Sequence, residues 1–194
     1  MLIINGSTRE NGNTDRIIRH FVRGVREAGG QAAQIKLRDK NIGQCVGCCE
    51  CREKGRCGSD DDMTGLRRRI ERSGLLVFAS PVYWCEVTGL LKTFIDRLYF
   101  YHHPGNAALV AGKKSLVVLT MGEADNIDYE SEVVLEFFRR VFSSLKIQWL
   151  DTLLFPALME KGDLIKKPEF SRIAFEAGKK YGKPGRGQRR YRKK

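Results

Sequence analysis

Leu75-Leu76-Val77-Phe78-Ala79, closed by Ser80-Pro81, is an unbroken apolar run with a turn signal directly behind it. A strand with one wet face alternates polar and apolar residues. This run does not, so it reads as a strand buried on both faces. Working outward, Leu2-Ile3-Ile4 before Asn5-Gly6, residues 31–37, residues 115–120 and residues 147–154 are further strand candidates. Helical spacing lies between them. Ile17, Ile18, Phe21, Val22 and Val25 repeat at that spacing until Gly29-Gly30 stop them. A short basic helix over 63–72 follows, then apolar stripes from Leu90 to Leu98 and from Val133 to Phe142. A last helix falls over 167–178.

Strands that alternate with helices define an α/β chain, and five of them fit a flavodoxin-like, doubly wound, five-stranded parallel sheet with helices on both faces. Ligands of such sheets bind beyond the C-terminal ends of the strands, which directs attention to residues 6–14, 80–88 and 120–128. One domain is expected over residues 1–178, interrupted by a cysteine-rich insertion at 43–62. A basic tail over 179–194 is expected to be disordered. With 194 residues, the chain is long enough to bury a core without disulfide staples. No apolar run approaches the ~18 residues of a membrane span. The opening Met1-Leu2-Ile3-Ile4 carries no basic leader, so a cytoplasmic protein without a signal peptide is expected.

The chain has 35 Lys and Arg against 23 Asp and Glu, a net charge of +12. Nine of the basic residues fall in 179–194, which holds no acid, and the remaining body has 26 basic and 23 acidic residues. The basicity is therefore mostly a property of the tail. Such tails are usually solvated, and a nucleic-acid partner is the less favoured reading.

The first loop, Gly6-Ser7-Thr8-Arg9-Glu10-Asn11-Gly12-Asn13-Thr14, connects a strand to a helix. A helix N-terminus offers unpaired amides and a positive dipole end to an anion. Hydroxyls at Ser7, Thr8 and Thr14 and the charge of Arg9 add to that offer, while Gly6 and Gly12 let the backbone curl. The loop suits a terminal phosphate monoester; both the G-x-G-x-x-G and the Walker patterns are absent. Its plainer reading is a turn with an N-cap at Asn13 or Thr14. The second loop, Pro81-Val82-Tyr83-Trp84, places aromatic residues where they could flank a flat conjugated ring, or simply pack in the core.

These segments together resemble a known family. Gly6-Ser7-Thr8-Arg9 with Asn11–Thr14, Cys45-x2-Cys48-x2-Cys51-x5-Cys57 with Asp61-Asp62-Met63, and Ser80–Trp84 with Leu91–Arg97 are similar to the NAD(P)H-dependent FMN reductase and iron-sulfur flavoprotein group. The resemblance runs over residues 1–155 and leaves the basic tail outside. Trp84 stands where phenylalanine is more usual, and Cys85 where a small residue is common. The resemblance implies FMN, with its phosphate on Ser7, Thr8, Arg9, Asn11, Gly12, Asn13 and Thr14. Its ring would lie on Pro81, Val82, Tyr83 and Trp84, near Thr120 and Gly122. It also implies NAD(P)H as co-substrate, a quinone, flavin or one-electron acceptor (a small molecule or a redox protein), and a homodimer or homotetramer. An electron carrier without nicotinamide activity, and a thiol or metal redox sensor whose tail binds nucleic acid, are the alternatives.

Five of six cysteines fall within residues 45–57. Without a leader, such a cluster reads as metal-binding or catalytic rather than as a disulfide frame. Cys45, Cys48, Cys51 and Cys57 have spacing suited to a [4Fe-4S] cluster; free or disulfide-forming thiols and zinc stay open. Cys49 is a bystander on this pattern. Asp60-Asp61-Asp62 read as a helix cap, Asp96-Arg97 as an ion pair or subunit contact, and His102-His103 as surface or pocket-lining. Tyr99, Phe100 and Tyr101 read as pocket, interface or core. No catalytic side chain is identified.

Overall fold

A computed structural model describes residues 1–123 and 127–183, the side chain of Glu130 excepted. Five parallel strands form the main sheet: β1 (Leu2–Asn5), β2 (Ala33–Lys36), β3 (Leu75–Tyr83), β5 (Lys114–Thr120) and β6 (Gln148–Phe155). Their order is β2-β1-β3-β5-β6, and a two-residue β4 (Glu86–Val87) pairs antiparallel with the end of β3. The chain winds outward from β1 to β2, then crosses back to β3, which creates a switch point between β1 and β3. The expected sheet is thus present.

Alternation along each strand decides which helices it meets. Leu2 and Ile4 of β1, Leu76 and Phe78 of β3, and Val117 and Leu119 of β5 face one core. There they pack on α3 (Met63–Glu71), α4 (Gly89–Asp96) and α6 (Ile127–Ser144). Ile3, Val77, Ala79, Leu116 and Val118 face the other core, under α1 (Asn13–Glu27) and α7 (Pro168–Gly182). Both faces are covered, which is why the strands read as continuous apolar runs. Two shorter helices, α2 (Glu50–Lys54) and α5 (Pro104–Ala107), and a 3-10 stretch at Arg97–His102 complete the cysteine side.

Two boundaries and one ion pairing differ from expectation. β3 continues through Ser80-Pro81, with Pro81 still in register with Thr120, and then folds back through Trp84 and Cys85. The final helix runs to Gly182, so the first residues of the basic segment are helical. Residues 184–194 lie outside the described residues. Arg97 pairs with Asp61, while Asp96 pairs with Lys92 one helical turn away.

Helices α1 and α7 approach so closely that glycine is required between them. A Cβ on Gly24 would stand 1.9 Å from the Phe175 carbonyl oxygen, and one on Gly178 would stand 2.0 Å from that of Phe21. The obstruction is backbone, so one helix must move. Gly24→Ala is expected to lose about 1–3 kcal/mol or more through overpacking. Gly65→Ala, in open space on α3, should gain up to ~1 kcal/mol from helix propensity. Urea midpoints of the two variants shifting in the same direction would contradict this packing.

Candidate functional site

The loop after β1 is held by a buried carboxylate that lies outside the recognisable motif. Asp15, on the first turn of α1, accepts from Asn5 Nδ2 at 2.6 Å, from the Asn11 amide at 2.9 Å, and from both Arg38 Nη atoms at 2.8 and 3.2 Å. Arg38 Nη1 also donates to the Ser7 carbonyl, and the Asn5 side chain accepts the Ser7 amide. Both ends of residues 7–11 are thereby fixed to one group. Burial opposes ionisation of Asp15, yet Arg38, Asn5 and the Asn11 amide outweigh it and hold the carboxyl below its ordinary value. At the head of the loop, Gly6 is pinched against α4: an added Cβ would meet Leu91 Cβ at 2.7 Å. Thr88 Oγ1 donates to the Gly6 carbonyl at 2.7 Å.

The N-cap of α1 is Gly12, in extended conformation, rather than Asn13 or Thr14, and no side chain caps that end. A helix start left without a cap has amides available to an outside acceptor. It opens on a cavity of about 700 Å3, within the ~300–1,000 Å3 usual for ligand sites. Ser7, Arg9, Gly12, Asn13 and Thr14 line one end of it; Pro81, Val82, Tyr83 and Trp84 line another, with Thr120 and Gly122 between. Of the expected set, Thr8 and Asn11 stand outside the lining. Thr8 Oγ1 instead bridges to the Tyr83 hydroxyl at 3.3 Å, and Asn11, at φ 54°, shapes the turn.

Several of these side chains already have partners. Asn13 Nδ2 donates to the carbonyls of Leu158 and Glu160, and its Oδ1 accepts the amides of Gly162 and Leu164. All its hydrogen-bonding capacity ties α1 to the loop after β6, so its backbone is what remains for a ligand. Thr14 Oγ1 and Thr120 Oγ1 share a buried hydrogen bond of 2.8 Å. Arg9 Nη1 reaches over the cavity to the Met159 carbonyl at 2.7 Å. The aromatic pair is unequal: Tyr83 is 40% exposed, whereas Trp84 is fully exposed. Trp84 and Cys85 form the hairpin tip with φ of 52° and 61°, a turn usually given to Asn-Gly. Left-handed backbone costs an L-residue about 1–2 kcal/mol, which the Val82–Val87 and Tyr83–Glu86 pairing must offset.

Cys85, Glu123, Tyr129, Leu158 and Met159 also line the cavity. Leu158 and Met159 come from a loop nearly 150 residues from the glycine-rich one, and local spacing carries no trace of that encounter. Residues 124–126 of the third loop lie outside the described residues. Tyr99, Phe100 and Tyr101 do not line the cavity: Tyr101 is buried in the core and donates to Glu71. His103 accepts the Gly105 amide at the start of α5, and His102 contacts Ser144.

The cysteine segment is anchored by Arg97, whose side chain is 2% exposed. Its Nη1 donates to Asp61 Oδ2 at 2.6 Å and to the Gly43 carbonyl at 2.7 Å, and its Nη2 donates to Cys57 Sγ at 3.3 Å. Asp61 does bond the first amide of α3, as a capping acid would, but its charge answers Arg97. Burial pushes the Cys51 thiol up, and Cys57, Cys45 and Cys48 add to the rise. These four thiols therefore share a neighbourhood. Even so, among the described residues no group of three Cys, His, Asp or Glu side chains is arranged to hold a metal ion. As arranged here, the segment does not fit a cluster.

A switch-point cavity with an uncapped helix start and an aromatic wall defines the flavodoxin-like class of nucleotide-binding folds. Residues 1–148 match the family described as NADPH-dependent FMN reductase, and the chain belongs to that family. An iron-sulfur flavoprotein of Archaeoglobus fulgidus is 33% identical over 124 residues, covering 64% of this chain and 56% of the relative. YwqN of Bacillus subtilis, named as an NAD(P)H-dependent FMN-containing oxidoreductase, is 36% identical over 95 residues, 49% of each chain. The chain thus spans about half the length of the curated relatives it matches. Among solved structures, the NAD(P)H:quinone oxidoreductase of Methanothermobacter marburgensis superposes with a TM-score of 0.67 at 19% identity. That alignment covers 92% of this chain and 93% of the other. An FMN-dependent NADH-azoreductase of Bacillus anthracis, in complex with FMN, gives 0.68 at 16% identity, covering 93% and 98%.

Proposed function

We propose that this chain binds FMN in the switch-point cavity and works as an NAD(P)H-dependent oxidoreductase that delivers electrons to a quinone, a free flavin or a one-electron acceptor. The observation that carries the reading is the uncapped start of α1, opening on the cavity whose other end is Pro81–Trp84. The amides of Asn13 and Thr14, with Ser7 and Arg9, would hold the phosphate. Backbone and Tyr83 at the β3 tip would hold the ring. Bound FMN supplies the hydride and electron transfer. The chain's own residues bind and orient it: Asp15 and Arg38 preset the phosphate loop, and Arg9 ties that loop to the Met159 carbonyl. No side chain is required as acid or base in this scheme.

Protein purified with FMN present should be yellow, and apoprotein should titrate with FMN in a calorimeter at about one per chain. Colourless protein indifferent to FMN would remove the reading. Anaerobic mixing with NADH and NADPH separates the reductase from a carrier. Bleaching within seconds supports the reductase, and none with either nucleotide supports an electron carrier. The Cys45, Cys48, Cys51 and Cys57 thiols enter no step here, because their arrangement does not fit a cluster; iron and sulfide assays on the same sample test that disagreement.

A further inference from the structure

Part of the wall of the switch-point cavity is apolar and left in water. Ten large apolar side chains of the described residues are exposed, and four of them, Tyr83, Trp84, Tyr129 and Met159, line this one cavity. Singly exposed apolar residues are ordinary, whereas a group gathered round a concavity marks a binding surface. Two of the four have partners in the protein. Tyr83 is tied to Thr8 through its hydroxyl, and Met159 lies against Gly122, where an added Cβ would meet its Cε at 2.6 Å. The Trp84 indole, by contrast, is fully exposed and pairs with no other aromatic ring of the described residues. It adds nothing to the core. The backbone beneath it is costly as well, since Trp84 and Cys85 both take left-handed conformation at a two-residue tip, which Asn-Gly would occupy with less strain. The base of the hairpin is nevertheless firm: the Thr88 amide donates to Ser80 Oγ at 3.2 Å, the Val87 amide to Glu86 Oε1 at 3.0 Å, and Thr88 Oγ1 to the Gly6 carbonyl. A fixed arm thus presents one rigid, amphipathic ring to water at the edge of the site.

We propose that the Trp84 indole determines the specificity of this site by stacking on the flat ring that exchanges electrons with the flavin, first the nicotinamide and then a planar acceptor. The proposal rests on FMN occupying the cavity, and it narrows the acceptor to a quinone or a free flavin. With the backbone of the β3 tip and the Tyr83 side chain given to FMN, the side chain at the very end of the hairpin is left for the ring that comes to lie beside it. An indole offers its face to any flat ring and needs no hydrogen-bond code. One residue can therefore serve two unlike substrates in turn. Its negative face also favours a ring depleted of electron density, as quinones and oxidised flavins are. A protein that carries single electrons on a metal brings no ring to this platform and fits less well. A second copy of the chain covering Trp84 fits less well too, because a stable interface takes about 800 Å2 from each partner, whereas these four side chains border a concavity of ligand size.

The chain has two tryptophans, Trp84 and Trp149, so nitrogen-edited NMR shows two indole N–H resonances, which Trp149→Phe assigns. Trp149 donates to the Asp151 carbonyl at 3.0 Å and packs edge-on against Phe142, which makes it the internal control. Oxidised, FMN-loaded protein is titrated with tetrahydro-NADH, tetrahydro-NADPH and menadione, none of which reduces the flavin. The Trp84 resonance should move upfield and saturate with at least one nucleotide and with menadione, while that of Trp149 stays in place. Trp84→Ala keeps the backbone of the tip. Calorimetry on it should show affinity for these probes falling about ten-fold, the scale of one lost stacking contact, and falling further than affinity for FMN. In turnover the loss should appear in KM and not in kcat. Trp84→Phe should restore most of it. Trp84→Asn with Cys85→Gly should raise the urea midpoint by relieving the turn, yet bind the probes as weakly as Trp84→Ala. Three outcomes overturn the proposal: a Trp84 resonance in FMN-loaded protein that ignores menadione or both nucleotides, FMN affinity falling as far as probe affinity in Trp84→Ala, and a ligand-free Trp84 resonance that moves on dilution, as it would beneath a second copy. Protein that takes up no FMN removes the flavin reading as well, whereas those three outcomes remove this proposal alone.

Discussion

Asp15→Ala is expected to destabilise the protein by about 3–5 kcal/mol and to weaken FMN binding by at least ten-fold. The carboxylate is 5% exposed and Arg38, its partner, 12%. Removing one member of a pair this buried leaves the other as an uncompensated charge, the costly case. The Asn5 amide and the Asn11 N–H lose an acceptor in the same step. Because those groups set residues 7–11, the damage should reach the ligand through the loop's shape. A second change helps to separate the two effects: Asp15→Leu with Arg38→Met should recover much of the stability, since an apolar pair of similar bulk needs no desolvation, but not the FMN affinity. The sign of the pH dependence follows from the depressed ionisation of Asp15. Its contribution is complete above the ordinary value of 3.8 and is lost as pH falls through the lower folded-state value. Wild type should therefore shed stability in acid where Asp15→Ala has none of this share left to shed. Unfolding free energies from urea titration at pH 7 that agree within about 1 kcal/mol would refute the assigned role.

Arg97→Ala should cost a similar ~3–5 kcal/mol, with a different functional signature. The guanidinium joins α3, the cysteine segment and the 3-10 stretch after α4 through Asp61, Gly43 and Cys57. Without it, the Asp61 carboxylate, 7% exposed, is left without its charge partner. Amides of residues 43–62 should exchange hydrogen markedly faster while those of β1 and α1 change little, and FMN titration should stay close to wild type. Arg97→Lys keeps the charge but not the fork, so an intermediate loss is expected. Exchange accelerating equally across the whole chain would show that Arg97 supports the fold at large and not this segment.

The sheet was legible because Leu75–Ala79 and its fellows are buried on both faces, and double burial writes itself as an uninterrupted apolar run. The phosphate loop was legible for a related reason: its hydroxyls and glycines are consecutive. Asp15 was not, although it lies one residue beyond that loop, because its meaning comes from Asn5 and from Arg38, 23 residues away. Asp96-Arg97 looked like a pair because the two are adjacent, yet neighbours on a helix point apart and each found another partner. Met159 joins the cavity wall through a loop whose local composition resembles any surface turn. Spacing in Cys45–Cys57 describes the reach of four thiols, whereas their arrangement depends on the left-handed turns at Gly47, Cys49 and Gly55 and on the Arg97 anchor.

Asn13 has a consequence for the order in which this molecule becomes complete. Its amide group latches an early stretch of the chain on to one made 145 to 151 residues later, since the carbonyls and amides it grips belong to residues 158–164. Thr14 waits for Thr120, and Arg9 for Met159, in the same way. The nascent polypeptide therefore displays its glycine-rich turn early and without its supports. The turn is held in its folded shape only once residues 158–164 have been made and folded against it.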